Sequence, residues 1–136
     1  MKNILICLED NSRSVKVAEK GILLARELNA SISLLHIIDE SSFSDDDELV
    51  RDFVTFRKRK IKNFVQKLIK KFDVAVFVHI EEGNSKKIII DKANSINPEV
   101  IVFGTYHRNE SKKLLREYLV QELINYSEFP VLIISN

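Results

Sequence analysis

Five short apolar runs, separated by stretches of helical periodicity, constrain this chain more than any other feature. "NILICL" (3–8) and "SISLLHII" (31–38) are continuous rather than alternating. That is the mark of strands covered on both faces, as in parallel sheets. "VAVFVHI" (74–80), a run from Glu99 to Gly104, and "PVLIIS" (130–135) complete the set. Between them lie four predicted helices. The order βαβαβαβαβ, with right-handed crossovers, dictates an α/β fold. It is a three-layer α/β/α sandwich with a mostly parallel five-stranded sheet of Rossmann-like type.

The helices are read from caps and periodicity. Asn11 or Ser12 caps the first, which runs to about Leu28 with Val15, Ala18, Ile22, Leu23 and Ala25 on its buried side. Ser44 with Asp47 three residues on forms a capping box for the second. This long helix, ending near Lys71, is expected to turn Leu49, Phe53, Phe56, Phe64, Leu68 and Phe72 inward. After the turn "EEGNS", a third helix spans Ser85 to about Ile96 with Ile88, Ile89 and Ala93 apolar; the fourth spans about Asn109 to Tyr126.

With 136 residues and no internal repeat, residues 1–136 are expected to form one domain. A formal net charge of +1 excludes a chain-wide attraction to nucleic acid or an anionic membrane. No apolar stretch approaches the roughly 20 residues that span a bilayer. The opening "MKNILICLEDNS" lacks the features of a signal peptide, and the single cysteine suits a reducing compartment, so a cytoplasmic protein is expected.

In doubly wound sheets ligands bind beyond the carboxyl ends of the strands, where strand order reverses. Those ends are Leu8–Asn11, Ile38–Asp39 and Gly104–Arg108. Here "NILICLEDNSRSVKVAEKGILLARELNASISLLHIID", "EEGNSKKIIIDKANSINPEVIVFG" and "FPVLIIS" together resemble the universal stress protein family over nearly the whole chain.

The resemblance implies a nucleotide crevice and, in the ATP-binding branch, a loop G-x2-G-x9-G-[ST] after the fourth strand. Small residues there let backbone N–H groups and a helix N-terminus reach phosphates. On this chain Gly104 matches the first glycine, but His107, Glu117 and Tyr118 occupy the other three positions. A carboxylate at Glu117 repels phosphate and fills space. Glu9 stands at the family's usual aspartate, Asp10 at a usual glycine, and Ile38 at the apolar residue flanking adenine. The residual crevice is thus assigned to Glu9, Asp10, Ile38, Gly104, Thr105, His107 and Arg108; the expectation is a non-enzymatic regulatory binding module without a cofactor, the alternative a protein that binds ATP or AMP through an altered phosphate loop.

Other groups invite chemical readings with structural alternatives beside them. His107, Arg108, Lys112 and Lys113 form either a solvated basic first turn or an anion site. Glu9 and Asp10 either cap the first helix or serve acid–base chemistry or Mg²⁺. Cys7, His36 and His79 are read as core or strand-end residues, since no short-spaced pair supports a metal. "RKRKIK" (57–62) is read as a solvated helix face or a surface for an acidic protein partner, rather than a nucleic-acid site. No catalytic residue or metal site is assigned. The family resemblance implies a homodimer through the last strand, with Val131, Leu132, Ile133 and Ile134 as the interface.

Overall fold

The computed structural model describes residues 2–8, 14–38, 47–104, 121–125 and 128–134. Five strands form one sheet: β1 (Asn3–Leu8), β2 (Ser31–Ile38), β3 (Val76–Glu82), β4 (Val100–Gly104) and β5 (Val131–Ile134). Their spatial order is β3-β2-β1-β4-β5, and all four pairings are parallel. The chain winds outward from β1 to β3 and then returns to the other side of β1. Strand order therefore reverses between β1 and β4, as the α/β reading requires.

Helices α1 (Ser14–Leu28), α2 (Asp47–Phe72) and α3 (Ser85–Ile96) carry the crossovers, and residues 121–125 are also helical. Period-two alternation divides the central strand between two cores. Ile4, Ile6 and Leu8 join Val17, Ala18, Ile22, Ile61, Val65 and Leu68 of α1 and α2. Leu5 and Cys7 turn the other way, toward Ile89 and Ala93 of α3 and Leu123. A strand buried on both faces needs apolar residues at every position, which explains why "NILICL" does not alternate.

The inward faces of the first two helices differ from expectation. In α1 the buried stripe is Ser14, Val17, Ala18, Gly21, Ile22 and Ala25, leaving Val15 and Leu23 exposed. Small residues set this rotation: a Cβ on Gly21 would stand 2.5 Å from Ile6 Cδ1, so only glycine lets the helix settle this closely on β1. In α2 the buried residues are Val54, Ile61, Val65 and Leu68, with Phe64 and Phe72 packed against their cluster. Leu49, Phe53 and Phe56 face outward instead, Phe56 being 61% exposed. At 100° per residue Val54, Ile61, Val65 and Leu68 form one stripe, and Leu49, Phe53 and Phe56 lie about 90–150° round the helix from it.

Strand ends are set by turns. Asp73 takes a left-handed φ of 52°, so β3 starts at Val76 rather than Val74; pairing of Glu82 with Ile38 carries it beyond Ile80. Gly83 turns the chain at φ 132°, and Asn84 Oδ1 then accepts from the Lys87 amide at 3.1 Å to cap α3. Asn97, at φ 55°, ends that helix by donating its amide to the Ala93 carbonyl. The expected caps at Asn11, Ser12 and Ser44 lie outside the described residues, as does most of the span 109–126.

Candidate functional site at the strand-order reversal

Of the residues assigned to the crevice, the structure describes Ile38 and Gly104. Glu9, Asp10, Thr105, His107 and Arg108 lie outside the described residues, as do Lys112, Lys113, Glu117 and Tyr118. The described floor consists of the last residues of β1, β2 and β4: Leu8, Ile38 and Gly104, all buried. Leu8 packs into the core shared with α1 and α2, and Ile38 is buried as well.

Gly104 has a reason of its own to lack a side chain. A Cβ there would stand 2.6 Å from Val17 Cγ2. Helix α1 thus closes on the end of β4 through Val17, which is itself buried. The glycine that matches the first position of the phosphate-loop pattern is therefore required by packing, whatever the loop beyond it does.

His36 lies directly beneath the mouth and is only 2% exposed. It pairs in register with Leu8, and its Nδ1 is 3.0 Å from the Leu8 carbonyl oxygen. A carbonyl can only accept, so Nδ1 carries the hydrogen and donates. Nε2 is buried and has no hydrogen-bond partner among the described residues. Burial pushes the imidazole below its ordinary pKa, and the bond to Leu8 opposes this only in part. A neutral His36 thereby tethers the end of β1 to β2. The expectation of a core histidine holds, but its bond to the strand end beside Glu9 was not legible in sequence.

The remaining titratable groups are accounted for locally. Cys7 is buried in β1. His79 is half-buried in β3, with Lys92 Nζ 3.5 Å from its Nδ1, and Lys92 also pairs with Glu81 at 3.1 Å. Burial first, then the Lys92 charge, lower its pKa against the pull of Glu81. No group of three or more His, Cys, Asp or Glu side chains is placed to hold a metal among the described residues. None of the described helices is long and apolar enough to cross a membrane.

The basic run 57–62 divides as its periodicity requires. Ile61 is buried, Arg57 stacks over the Phe53 ring at 5.3 Å, Lys58 reaches Glu82 at 3.5 Å, and Arg59, Lys60 and Lys62 are exposed. At the far side of the sheet β5 is an edge strand. Leu132 and Ile133 point to opposite faces and are 37% and 41% exposed, with Val131 and Ile134 half-buried.

Comparisons with known proteins agree with this architecture. A universal stress protein of Methanocaldococcus jannaschii is 22% identical over 98% of this chain and 82% of its own length. The solved UspA of Lactobacillus plantarum superposes with a TM-score of 0.83 over 98% of this chain and 97% of that one, at 16% identity. Two further universal stress proteins share the fold: one solved with cAMP (TM-score 0.70, 12% identity), and one from Archaeoglobus fulgidus solved with dAMP (0.69, 15%). Each covers 98% of this chain, and the chain covers 95% and 98% of them. The model of the universal stress protein family matches residues 1–135, and together with the all-parallel order β3-β2-β1-β4-β5 this places the chain in that family.

Proposed function

We propose that this universal stress protein works without catalysis, as a homodimeric regulatory binding module of the stress response that does not hold ATP. The observation that carries this reading is the contact between Gly104 and Val17. Packing alone accounts for the one glycine kept from the phosphate-loop pattern. The three positions that serve only phosphate hold His107, Glu117 and Tyr118. An anionic, bulky pair at the third and fourth positions opposes a triphosphate on both charge and volume. The edge position of β5 and the exposure of Leu132 and Ile133 support assembly through that strand.

A second reading is favoured by the relatives solved with cAMP and dAMP. A ligand with one phosphate needs fewer backbone donors than ATP, and the sequence after Gly104 carries His107, Arg108, Lys112 and Lys113, whose positive charge favours an anion.

Thermal unfolding with ATP, ADP and AMP, with and without Mg²⁺, separates the two. A ligand at about 100 times its Kd adds roughly 2.7 kcal/mol, several degrees in a domain of this size. No shift at millimolar nucleotide is expected. A shift with AMP alone establishes the second reading, and a saturating shift with ATP overturns the first.

A further inference from the structure

We propose that the outer edge of β3 accepts an extended peptide segment of alternating acidic and apolar residues as an added strand. Its carboxylates lie along the cationic flank of α2, and its apolar side chains lie against Phe77.

Three observations converge on this edge. The first is the open strand itself. Among the described residues β3 pairs only with β2, so the outer backbone groups of its seven residues face away from the sheet. Natural edge strands usually discourage pairing with lysine or proline. "VFVHIEE" contains neither, and its two carboxylates are already engaged, Glu81 with Lys92 and Glu82 with Lys58. Phe77, by contrast, is 62% exposed on the face shared with His79 and Glu81, and Val78 is exposed on the other.

The second is the charge on α2. Residues 47–72 contain nine Lys and Arg against three Asp and Glu, a formal +6 in a chain whose total is +1. The sequence outside this helix is therefore net negative, and the chain's excess of positive charge lies on α2.

The third is the direction of that charge. Lys71 pairs with Glu19 at 2.7 Å and Arg26 donates to the Phe72 carbonyl, so one flank of α2 faces α1. Lys58, on the opposite flank, reaches Glu82 at the end of β3. At 100° per residue Arg51 and Lys62 share the flank of Lys58. The helix runs antiparallel to the strand, and one turn is about 6 Å, or roughly two strand residues. Lys62 accordingly lies level with Ile80, and Arg51 beyond the strand end. Period-two geometry then gives an added strand one face toward these cations and one toward Phe77. An open depression beside the start of β3, lined by Arg26, Asn29, Ser31, Val74 and Phe77, receives one end of the segment.

This edge lies on the opposite side of the sheet from β5, and although its last residue, Glu82, pairs with Ile38 at the mouth, the proposal uses neither a nucleotide nor the β5 edge.

The probe is a fluorescent peptide of alternating glutamate and valine, as long as β3, titrated into the full chain and followed by anisotropy and amide hydrogen exchange. Saturable binding is expected, with protection gained at 76–82 and not at 131–134. The double charge reversal Lys58→Glu/Lys62→Glu should weaken it by about tenfold or more, high salt should weaken it as well, and Phe77→Thr by several-fold. The same peptide with lysine for glutamate should not bind. All three substitutions fall on residues with solvent-facing side chains, and circular dichroism checks that the variants fold. Hydrogen exchange on the unaltered chain tests the proposal without them. Failure to bind, equal binding of the lysine peptide, or binding without protection at 76–82 overturns it. So does displacement by short single-stranded DNA that leaves β3 unprotected, which would assign the flank to nucleic acid.

Discussion

Gly104 at the end of β4 and Val17 on α1 are packed so closely that a Cβ on the glycine would stand 2.6 Å from the valine Cγ2. The contact packs α1 against the end of β4, beside the point where strand order reverses. Gly104→Ala is therefore expected to cost about 1–3 kcal/mol by overpacking. Val17→Ala removes the obstructing methyl groups, so the double variant should lose less than the sum of the singles. Chemical denaturation of the four proteins checks this; strict additivity would mean the two residues do not press on one another.

His36 predicts a one-sided pH response. Burial depresses its pKa in the folded state, whereas the unfolded chain binds a proton near 6.5. The unfolded state thus binds more protons once the pH falls below about 6.5, and stability declines there. One group contributes at most about 1.4 kcal/mol per pH unit. His36→Asn keeps a donor for the Leu8 carbonyl but does not titrate in this range. Its stability-against-pH curve should be flatter than that of the parent below 6.5 and parallel above it. Identical slopes on both sides would show that His36 is protonated as easily when folded.

At the β5 edge, Ile133→Glu places a charge on an exposed apolar position without disturbing the core. The proposed dimer should weaken at least tenfold, about 1.4 kcal/mol, while the melting of the subunit itself stays within a few degrees. Sedimentation velocity over a concentration series reads this directly. A parent chain that is already monomeric, or a variant that dimerises equally well, removes β5 from the assembly.

Asn84 caps α3 through a 3.1 Å bond to the Lys87 amide. Its replacement by alanine is expected to destabilise the protein by roughly 0.5–2 kcal/mol. Glycine should cost only a few tenths, because the Ncap backbone is already extended. Urea midpoints at constant slope measure both; equal losses for the two would point to a role other than capping.

Much of the architecture follows from local pattern. "NILICL" and "SISLLHII" lack alternation because both faces of β1 and β2 are covered, so their parallel, central character is written in the residues themselves. The cap at Asn84 and the end of α3 are equally local. The helix faces were less legible. Periodicity offers several apolar stripes on α2, and Leu49, Phe53 and Phe56 form one as good as Val54, Ile61, Val65 and Leu68. Which stripe turns inward is decided by how the helix packs on the sheet and on α1. The same holds for α1, where the bulk of Ile6 under Gly21 decides the rotation.

For the site, the sequence by itself determined which residue types follow β4, and so that His107, Glu117 and Tyr118 stand where the resembled pattern has small residues. Chemical identity needs no coordinates. Tertiary structure alone decided that Gly104 answers to Val17, that His36 ties Leu8 to β2, and that Lys58 of α2 reaches Glu82 at the end of β3. Each of these joins residues far apart in the chain, and such distances are set by how helices pack on a sheet rather than by any local propensity.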